Sequence, residues 1–229
     1  ETEEAFSTRL AEELEQAILD AGPETIGAFF AEPVMGTGGV ILPPAGYFAK
    51  VQAVLRKYDI LMVADEVICG FGRTGYYWGC QAMGIQPDML TCAKGLSAAF
   101  QPISALLLSD QIYQVIADQS NTLGGLGHGY TYGGHPVAAA VAIETLKIYD
   151  EIDLIGHVKS VGPHLQAELR RLFADHPLVG DLHARALALR RQGHEPLHAQ
   201  SRRLVIARAK GHARIELDVD RIGVGDLVP

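Results

Sequence analysis

The chain has 229 residues, of which 48% are hydrophobic, so it can bury a substantial core in one domain or in one domain and part of another. Its net charge of -8 and isoelectric point near 5.5 argue against general nucleic-acid affinity, because clustered Lys and Arg hold phosphate backbones. With nucleic acid disfavoured, we expect a small-molecule ligand. Three cysteines without CxxC spacing favour neither a disulfide framework nor a zinc site, so we expect a reducing, cytoplasmic setting. No apolar run is long enough to span a bilayer.

The first 60 residues predict a helix, a strand and a second helix. Apolar residues at helical spacing over 3–20 predict an amphipathic surface helix with Thr2 as its N-cap. The string "IGAFFAEP" predicts a short buried strand that ends at Glu32. A loop rich in Gly and Pro then leads into a helix over about 45–58.

The next stretch, "DILMVADEVICGFGRTG", begins with an apolar run that is too short for a free-standing helix. This run, residues 60–64, predicts a strand buried on both faces, as in a parallel sheet. Asp65 then lies at the carboxyl end of the strand, where open α/β sheets bind their ligands. A turn or cap role for Asp65 is an equal alternative on this stretch alone, because Asp commonly ends strands.

Two further strands and two helices are predicted along the chain. The strings "DMLTCAK" and "ISALLLS" predict strands, and a helix opens at Ser109 or Asp110. The glycine-rich "NTLGGLGHGYTYGGHP" precedes a helix over 137–149 and is a candidate anion site. Alternating strands and helices predict an α/β fold with a mainly parallel sheet flanked by helices.

Lys94 ends the string "DMLTCAK" at the same predicted sheet edge as Asp65. We expect its amine to be partly desolvated, which suits Schiff-base chemistry; a solvent-facing surface lysine is the alternative. A strand-end Asp, a strand-end Lys and a glycine-rich anion loop are together what a pyridoxal phosphate site requires. The residues alone therefore predict this cofactor.

Five strings occur in series across residues 26–150. They are "AEPVMGTGGVILPP", "DILMVADEVICGFGRTG", "QPDMLTCAKGLS", "QPISALLLS" and "HGYTYGGHPVAAA". Together they resemble the class III pyridoxal-phosphate aminotransferases of fold type I, and most of all the omega-amino acid and polyamine transaminases that use pyruvate. The resemblance implies a partial cofactor-binding large domain over 1–150, a linking helix toward an incomplete small domain over 151–180, and a divergent or disordered tail over 181–229.

The resemblance implies roles for five residues. Lys94 would bind the cofactor's aldehyde carbon and act as the catalytic residue, Asp65 would pair with the pyridine nitrogen, and Val67 would lie against the ring. Thr131 would reach the phosphate of the other subunit's cofactor, which implies a homodimer with shared sites. Glu32 would support the cofactor region through a hydrogen bond; alternatively, it is a strand-end acid that stabilises the following loop.

The reaction implied by the resemblance moves an amino group from a primary amine or omega-amino acid to a keto acid, with pyruvate as the expected acceptor. Thr37 stands where the ornithine and GABA branch commonly has a glutamate, which favours the pyruvate-using branch. Arg73, in "GFGRTG", is either a loop residue that ties turns together, which we favour, or a clamp for a carboxylate. The amine donor stays open.

Departures from the family pattern leave other functions open. We expect a fragment, because the family's phosphate cup and stacking aromatic ring come from a region that the given sequence does not include, and because the similarity fades near Asp181, where an Arg- and His-rich tail begins. The alternatives are a truncated, inactive fragment of the family and a class III decarboxylase or aminomutase that keeps Asp65 and Lys94. A nicotinamide-binding Rossmann domain is disfavoured because no GxGxxG motif opens a first strand-to-helix turn.

Overall fold

The computed structural model describes residues 1–175 and, further along the chain, the backbone of two short strands. These strands, β5 (Arg203–Val205) and β6 (Glu216–Asp218), pair antiparallel. Apart from them, the tail predicted over 181–229 lies outside the described residues.

A four-stranded sheet in the order β1-β2-β3-β4 forms the centre of the described part. Its strands are β1 (Ala28–Ala31), β2 (Leu61–Asp65), β3 (Met89–Cys92) and β4 (Ala105–Leu108). The first three strands run parallel, and β4 runs antiparallel to β3. Three successive residues of β2 are buried, Met62, Val63 and Ala64, which confirms the prediction of a strand buried on both faces.

Six α-helices accompany the sheet. They are α1 (Glu3–Ala21), α2 (Tyr47–Lys57), α3 (Gly79–Met83), α4 (Asp110–Leu123), α5 (Pro136–Glu151) and α6 (Leu154–Phe173). The predicted N-cap of α1 is confirmed, because Thr2 accepts a hydrogen bond from the Ala5 amide at 3.1 Å. The predicted start of α4 is also confirmed, and Ser109 is its N-cap. In the part of the chain that is described, no helix has the length and apolar character needed to cross a membrane.

The main core lies between one face of the sheet and the first two helices. Met62 and Ala64 of β2 belong to the same buried cluster as Val51 and Leu55 of α2. Leu55 is only 2% exposed, and burying a leucine side chain stabilises a fold by about 1.5–3 kcal/mol. Burial of α2 therefore fixes the helix against the strand that carries Asp65.

Polar contacts centred on Lys50 hold α1 against α2. The Lys50 ammonium forms an ion pair with Glu4 at 2.6 Å and donates to the hydroxyls of Ser7 and Thr8 at 2.8 and 2.7 Å. Because Ser7 is fully buried, these contacts lie at the helix interface and help to fix how α1 packs against α2.

The β4 strand and the helix that follows it present apolar side chains to solvent. Leu106 and Leu107 are 57% and 43% exposed, and Tyr113 and Val115 of α4 are 62% and 60% exposed. Since neighbouring residues of a strand point to opposite faces, β4 is uncovered on both faces in the described part of the chain.

We expect the three cysteines to react slowly while the chain is folded. All three thiols are free and buried, and burial raises the pKa of Cys69 to about 11 and that of Cys80 to about 12. At pH 8 the native Cys69 and Cys80 thiols should therefore react at least about 100-fold more slowly than the same thiols in the unfolded chain, since the thiolate is the nucleophile. An aromatic disulfide reagent, added with and without guanidinium, measures both rates. Three fast thiols in the native chain would contradict this packing.

Candidate functional site

Three charged residues lie at or just after the carboxyl ends of three adjacent parallel strands. Asp65 is the last residue of β2, Glu32 comes one residue after β1, and Lys94 comes two residues after β3. The strand register pairs Asp65 with Thr91 of β3. Parallel strands bring their carboxyl ends to one edge, so two carboxylates and one amine are presented there.

Asp65 shapes the turn after β2 and retains binding capacity. Its side chain is half-buried, and its Oδ1 accepts a hydrogen bond from the Val67 amide at 3.0 Å. Within residues 1–175, its Oδ2 has no hydrogen-bond partner. Val67, which is also half-buried, is thereby held beside the carboxylate by its backbone. Asp65 thus ends the strand as a turn residue and still offers one oxygen to a ligand.

Glu66, the second acid of the pair, lies within the protein and holds a helix. It is fully buried, and its two carboxylate oxygens accept from the amides of Gly79 and Cys80 at 2.7 and 2.6 Å, at the start of α3. Burial raises the pKa of Glu66, and these amides oppose that shift. A Cβ at Gly79 would lie 2.6 Å from the Cys69 Cβ, so only glycine fits there.

Glu32 stabilises the loop that follows β1. Its Oε2 accepts a hydrogen bond from the Gly36 amide at 2.8 Å. A bridge between Met35 and Ile41 closes the same loop. The contact is the one expected of a strand-end acid, while the position of Glu32 beside Asp65 leaves its supporting role toward a cofactor as a prediction.

Lys94 begins a short turn, Lys94–Leu96, which we call the lysine turn. Its φ of 44° is left-handed, a conformation that costs a non-glycine residue about 1–2 kcal/mol. Amides of Leu96 and Ser97 donate to the carbonyls of Ala93 and Lys94 at 3.0 and 3.2 Å and close the turn.

The expectation that the Lys94 amine is partly desolvated is wrong for this structure. Lys94 is exposed, although Cys92, two residues earlier, is only 2% exposed. The left-handed turn exposes Lys94 itself, while Ser97 at the end of the turn is again buried. Within residues 1–175, the amine has no hydrogen bond or ion pair, and it is therefore free to react.

Two aromatic residues support the lysine turn from below. A Cβ at Gly95 would lie 2.8–3.1 Å from atoms of the Phe71 side chain, so glycine allows that ring to pack directly on the turn. The Tyr149 hydroxyl of α5 donates to the Gly95 carbonyl at 2.8 Å. No sequence pattern pointed to Tyr149, which is 54 residues away from Gly95 along the chain; the glycine after Lys94 was the available signal for a close approach.

Thr131 lies in the segment that precedes α5 and not at the end of a sheet strand. It is exposed, and it belongs to a turn closed by the Gly133 amide, which donates to the Tyr130 carbonyl at 2.9 Å. Its hydroxyl has no partner in the described part of the chain. A role in a neighbouring subunit stays a prediction.

A cavity of about 520 Å³ adjoins the sheet edge. Asp65 and Glu32 contribute to its walls, and most of its other lining residues are apolar, among them Phe30, Met35 and Tyr47. The walls that the described residues form do not include Val67, Lys94 or Thr131. The cavity therefore unites the two carboxylates without the amine.

Arg73 ties its loop together, as the favoured interpretation expected. Its Nε donates to the Ile68 carbonyl at 2.6 Å. It also lines a smaller cavity, about 280 Å³ in volume, together with Thr37. The turn contact accounts for the arginine without a bound carboxylate.

The sequence and structure resemble those of known transaminases. The model of the family described as Aminotransferase class-III matches residues 1–212 and so extends beyond Asp181, where we expected the similarity to fade. Gamma aminobutyrate transaminase 3, chloroplastic, of Solanum lycopersicum is 57% identical over 187 residues, which are 82% of this chain and 36% of that protein. Vanillin aminotransferase of Capsicum frutescens is 54% identical over 189 residues, which are 82% of this chain and 41% of that protein.

A solved omega transaminase from Pseudomonas jessenii, in complex with PMP, is 56% identical to the chain. Its TM-score is 0.80, and the match covers 82% of this chain and 41% of that one. These likenesses confirm the predicted fold class, a mainly parallel sheet flanked by helices as in the large domain of fold type I enzymes. The chain spans about two fifths of the length of the relatives it matches. None of these comparisons tests the division at residues 150 and 180, which stays a prediction.

We expect the two adjacent acids to respond differently to loss of charge. Each Glu66 oxygen accepts from one backbone amide, and Glu66→Gln replaces one of these two buried oxygens with an NH2 group, which is a donor. The substitution should therefore lower the free energy of unfolding by about 1–3 kcal/mol. Asp65→Asn keeps the Oδ1 acceptor and should cost less than about 1 kcal/mol. Urea unfolding of both variants measures the difference. Equal losses would contradict the separate roles of the two acids.

Proposed function

The chain belongs to the class III aminotransferases, and from that membership we propose that it forms part of an enzyme that moves an amino group from a primary amine or omega-amino acid to a keto acid. Pyruvate is the proposed acceptor. The proposal concerns the whole protein, of which relatives of this chain have more than twice the length. Its cofactor is pyridoxal phosphate, on which the family depends.

One observation carries the proposal. The parallel strands bring the Asp65 carboxylate and the Lys94 amine to the same sheet edge, and both have binding capacity that no described residue uses. Lys94 also has a left-handed φ of 44°. Backbone strain retained at a reactive side chain is typical of functional sites.

The side chains at this edge fit the cofactor in their chemistry. A primary amine, a carboxylate with one free oxygen and the adjacent half-buried Val67 match an aldehyde, a ring nitrogen and a ring face, respectively. Pyridoxal phosphate, when bound, supplies an aldehyde that condenses with amines and a ring that accepts electrons from the bond broken beside the amino nitrogen. The same chemistry serves a decarboxylase, so product analysis must accompany any activity assay.

Each residue of this chain has a distinct task in the proposal. Asp65 would keep the ring nitrogen protonated, because a nearby carboxylate favours the charged form of a base. Lys94 would hold the aldehyde carbon through Nζ and, once released, would take a proton from the substrate carbon beside the amino group. The hydrogen bond from the Val67 amide would fix the direction of the Asp65 carboxylate.

We further propose that two chains build each site and that the protein works in a reducing compartment such as the cytoplasm. Exposure of Thr131, without a partner for its hydroxyl in residues 1–175, is compatible with a contact to the phosphate in a second subunit. Three free cysteines support the reducing compartment.

The amine donor is the part of the proposal that rests on the relatives. Several carry gamma-aminobutyrate in their names and two carry vanillin, so the donors to test first are an omega-amino acid and an aromatic primary amine. Thr37, which lines the smaller cavity beside Arg73, does not by itself remove gamma-aminobutyrate from the candidates. Pyruvate is to be tested against other keto acids.

We expect pyridoxal phosphate to attach to Lys94. After excess cofactor is removed, the chain should keep a visible absorption band that Lys94→Ala abolishes and that a primary amine bleaches. Borohydride reduction followed by peptide mass spectrometry locates the attachment. Lys159→Ala is the matched control, because Lys159 is an exposed lysine on α6 whose amine lies over the Tyr76 ring. A folded chain with no retained band, or with attachment spread over surface lysines, would refute the proposed site.

A further inference from the structure

The lysine turn is held by contacts that do not come from its own strand. Gly95 lies against the Phe71 ring, and its carbonyl accepts the Tyr149 hydroxyl at 2.8 Å. The rings of Phe71 and Tyr149 are themselves neighbours, with centroids 6.4 Å apart. Loop residue Phe71 and helix residue Tyr149 therefore converge on the single residue that follows the lysine.

These contacts matter because the lysine turn is strained. Lys94 has a φ of 44°, and the turn closes through only two backbone hydrogen bonds, from the amides of Leu96 and Ser97. A strained conformation persists only when its surroundings over-determine it. Phe71 supplies shape but no directional bond, whereas the Tyr149 hydroxyl fixes the direction of the Gly95 carbonyl and hence the peptide plane next to Lys94.

We propose that Tyr149 is a positioning residue for Lys94: its hydroxyl locks the lysine turn through the Gly95 carbonyl and so aims the amine at the cofactor's aldehyde carbon. The aim of the amine at a cofactor rests on the proposed function. The hydrogen bond that holds the lysine turn does not depend on it. Burial raises the pKa of the Tyr149 hydroxyl, so the hydroxyl stays protonated and can donate at neutral pH.

The position of Tyr149 gives the lock a second consequence. Tyr149 belongs to α5, the helix that begins at Pro136, five residues after Thr131. The hydrogen bond therefore connects the lysine turn to the helix that follows the Thr131 segment.

The first test measures the turn without any cofactor. In Tyr149→Phe, amide hydrogen exchange at Leu96 and Ser97 should become about fivefold faster, the factor expected for the loss of one hydrogen bond. Tyr58→Phe is the matched control, since Tyr58 is also half-buried and its hydroxyl donates to Glu15 at 2.7 Å, away from the turn. Exchange at the two amides should be unchanged in the control. Equal exchange in both variants would overturn the lock.

The second test asks whether the lock aims the amine. Pyridoxal phosphate is added, the adduct is reduced with borohydride, and labelling at Lys94 is divided by labelling at the exposed Lys159 of the same chain. Tyr149→Phe should lower this ratio about fivefold, and Tyr58→Phe should leave it unchanged. A ratio that Tyr149→Phe does not change would overturn the positioning role. Failure of wild-type Lys94 to label would instead refute the proposed function, and the exchange rates would still decide whether the turn is locked.

Discussion

The parallel hydrogen bonding of β1, β2 and β3 is the constraint on which the rest of the site depends. It brings the carboxyl ends of three strands to one edge, so residues 32, 65 and 94 of the sequence lie at or just beyond the same edge. The buried strand β2 is central to this arrangement because it pairs on both sides and carries Asp65 at its end. Burial of α2 against the same sheet face supports that strand.

The adjacent acids Asp65 and Glu66 have different roles, because Asp65 is available to a ligand and Glu66 stabilises the fold. Residues next to each other at the end of a strand point to opposite sides, so one carboxylate lies at the ligand edge and the other lies within the protein. Glu66 has both oxygens engaged by the start of α3, whereas Asp65 keeps one oxygen without a partner in residues 1–175. One acid thus stabilises the loop that positions the other.

Local patterns predicted the four strands of the sheet, most helices and the position of Asp65, because burial and spacing along the chain carry that information. They did not predict β5 and β6. Contacts between residues distant in sequence could not be read in this way. Tyr149 contacts Gly95 only because α5 packs beside the lysine turn. Lys94 is exposed because it adopts a left-handed conformation, which the residue type lysine does not predict. The string "VADEV" likewise did not show which acid would be buried. Adjacent side chains of a strand point to opposite faces, and the face of Glu66 is the one that α3 covers.

The uncovered strand β4 has a consequence for how copies of the chain behave together. It is apolar on both faces and is paired along one edge only within the described residues, which makes its other edge a template for strands of other molecules. Repulsion between chains of net charge -8 is screened beyond about 8 Å at physiological salt. Self-association through this edge should therefore increase with ionic strength.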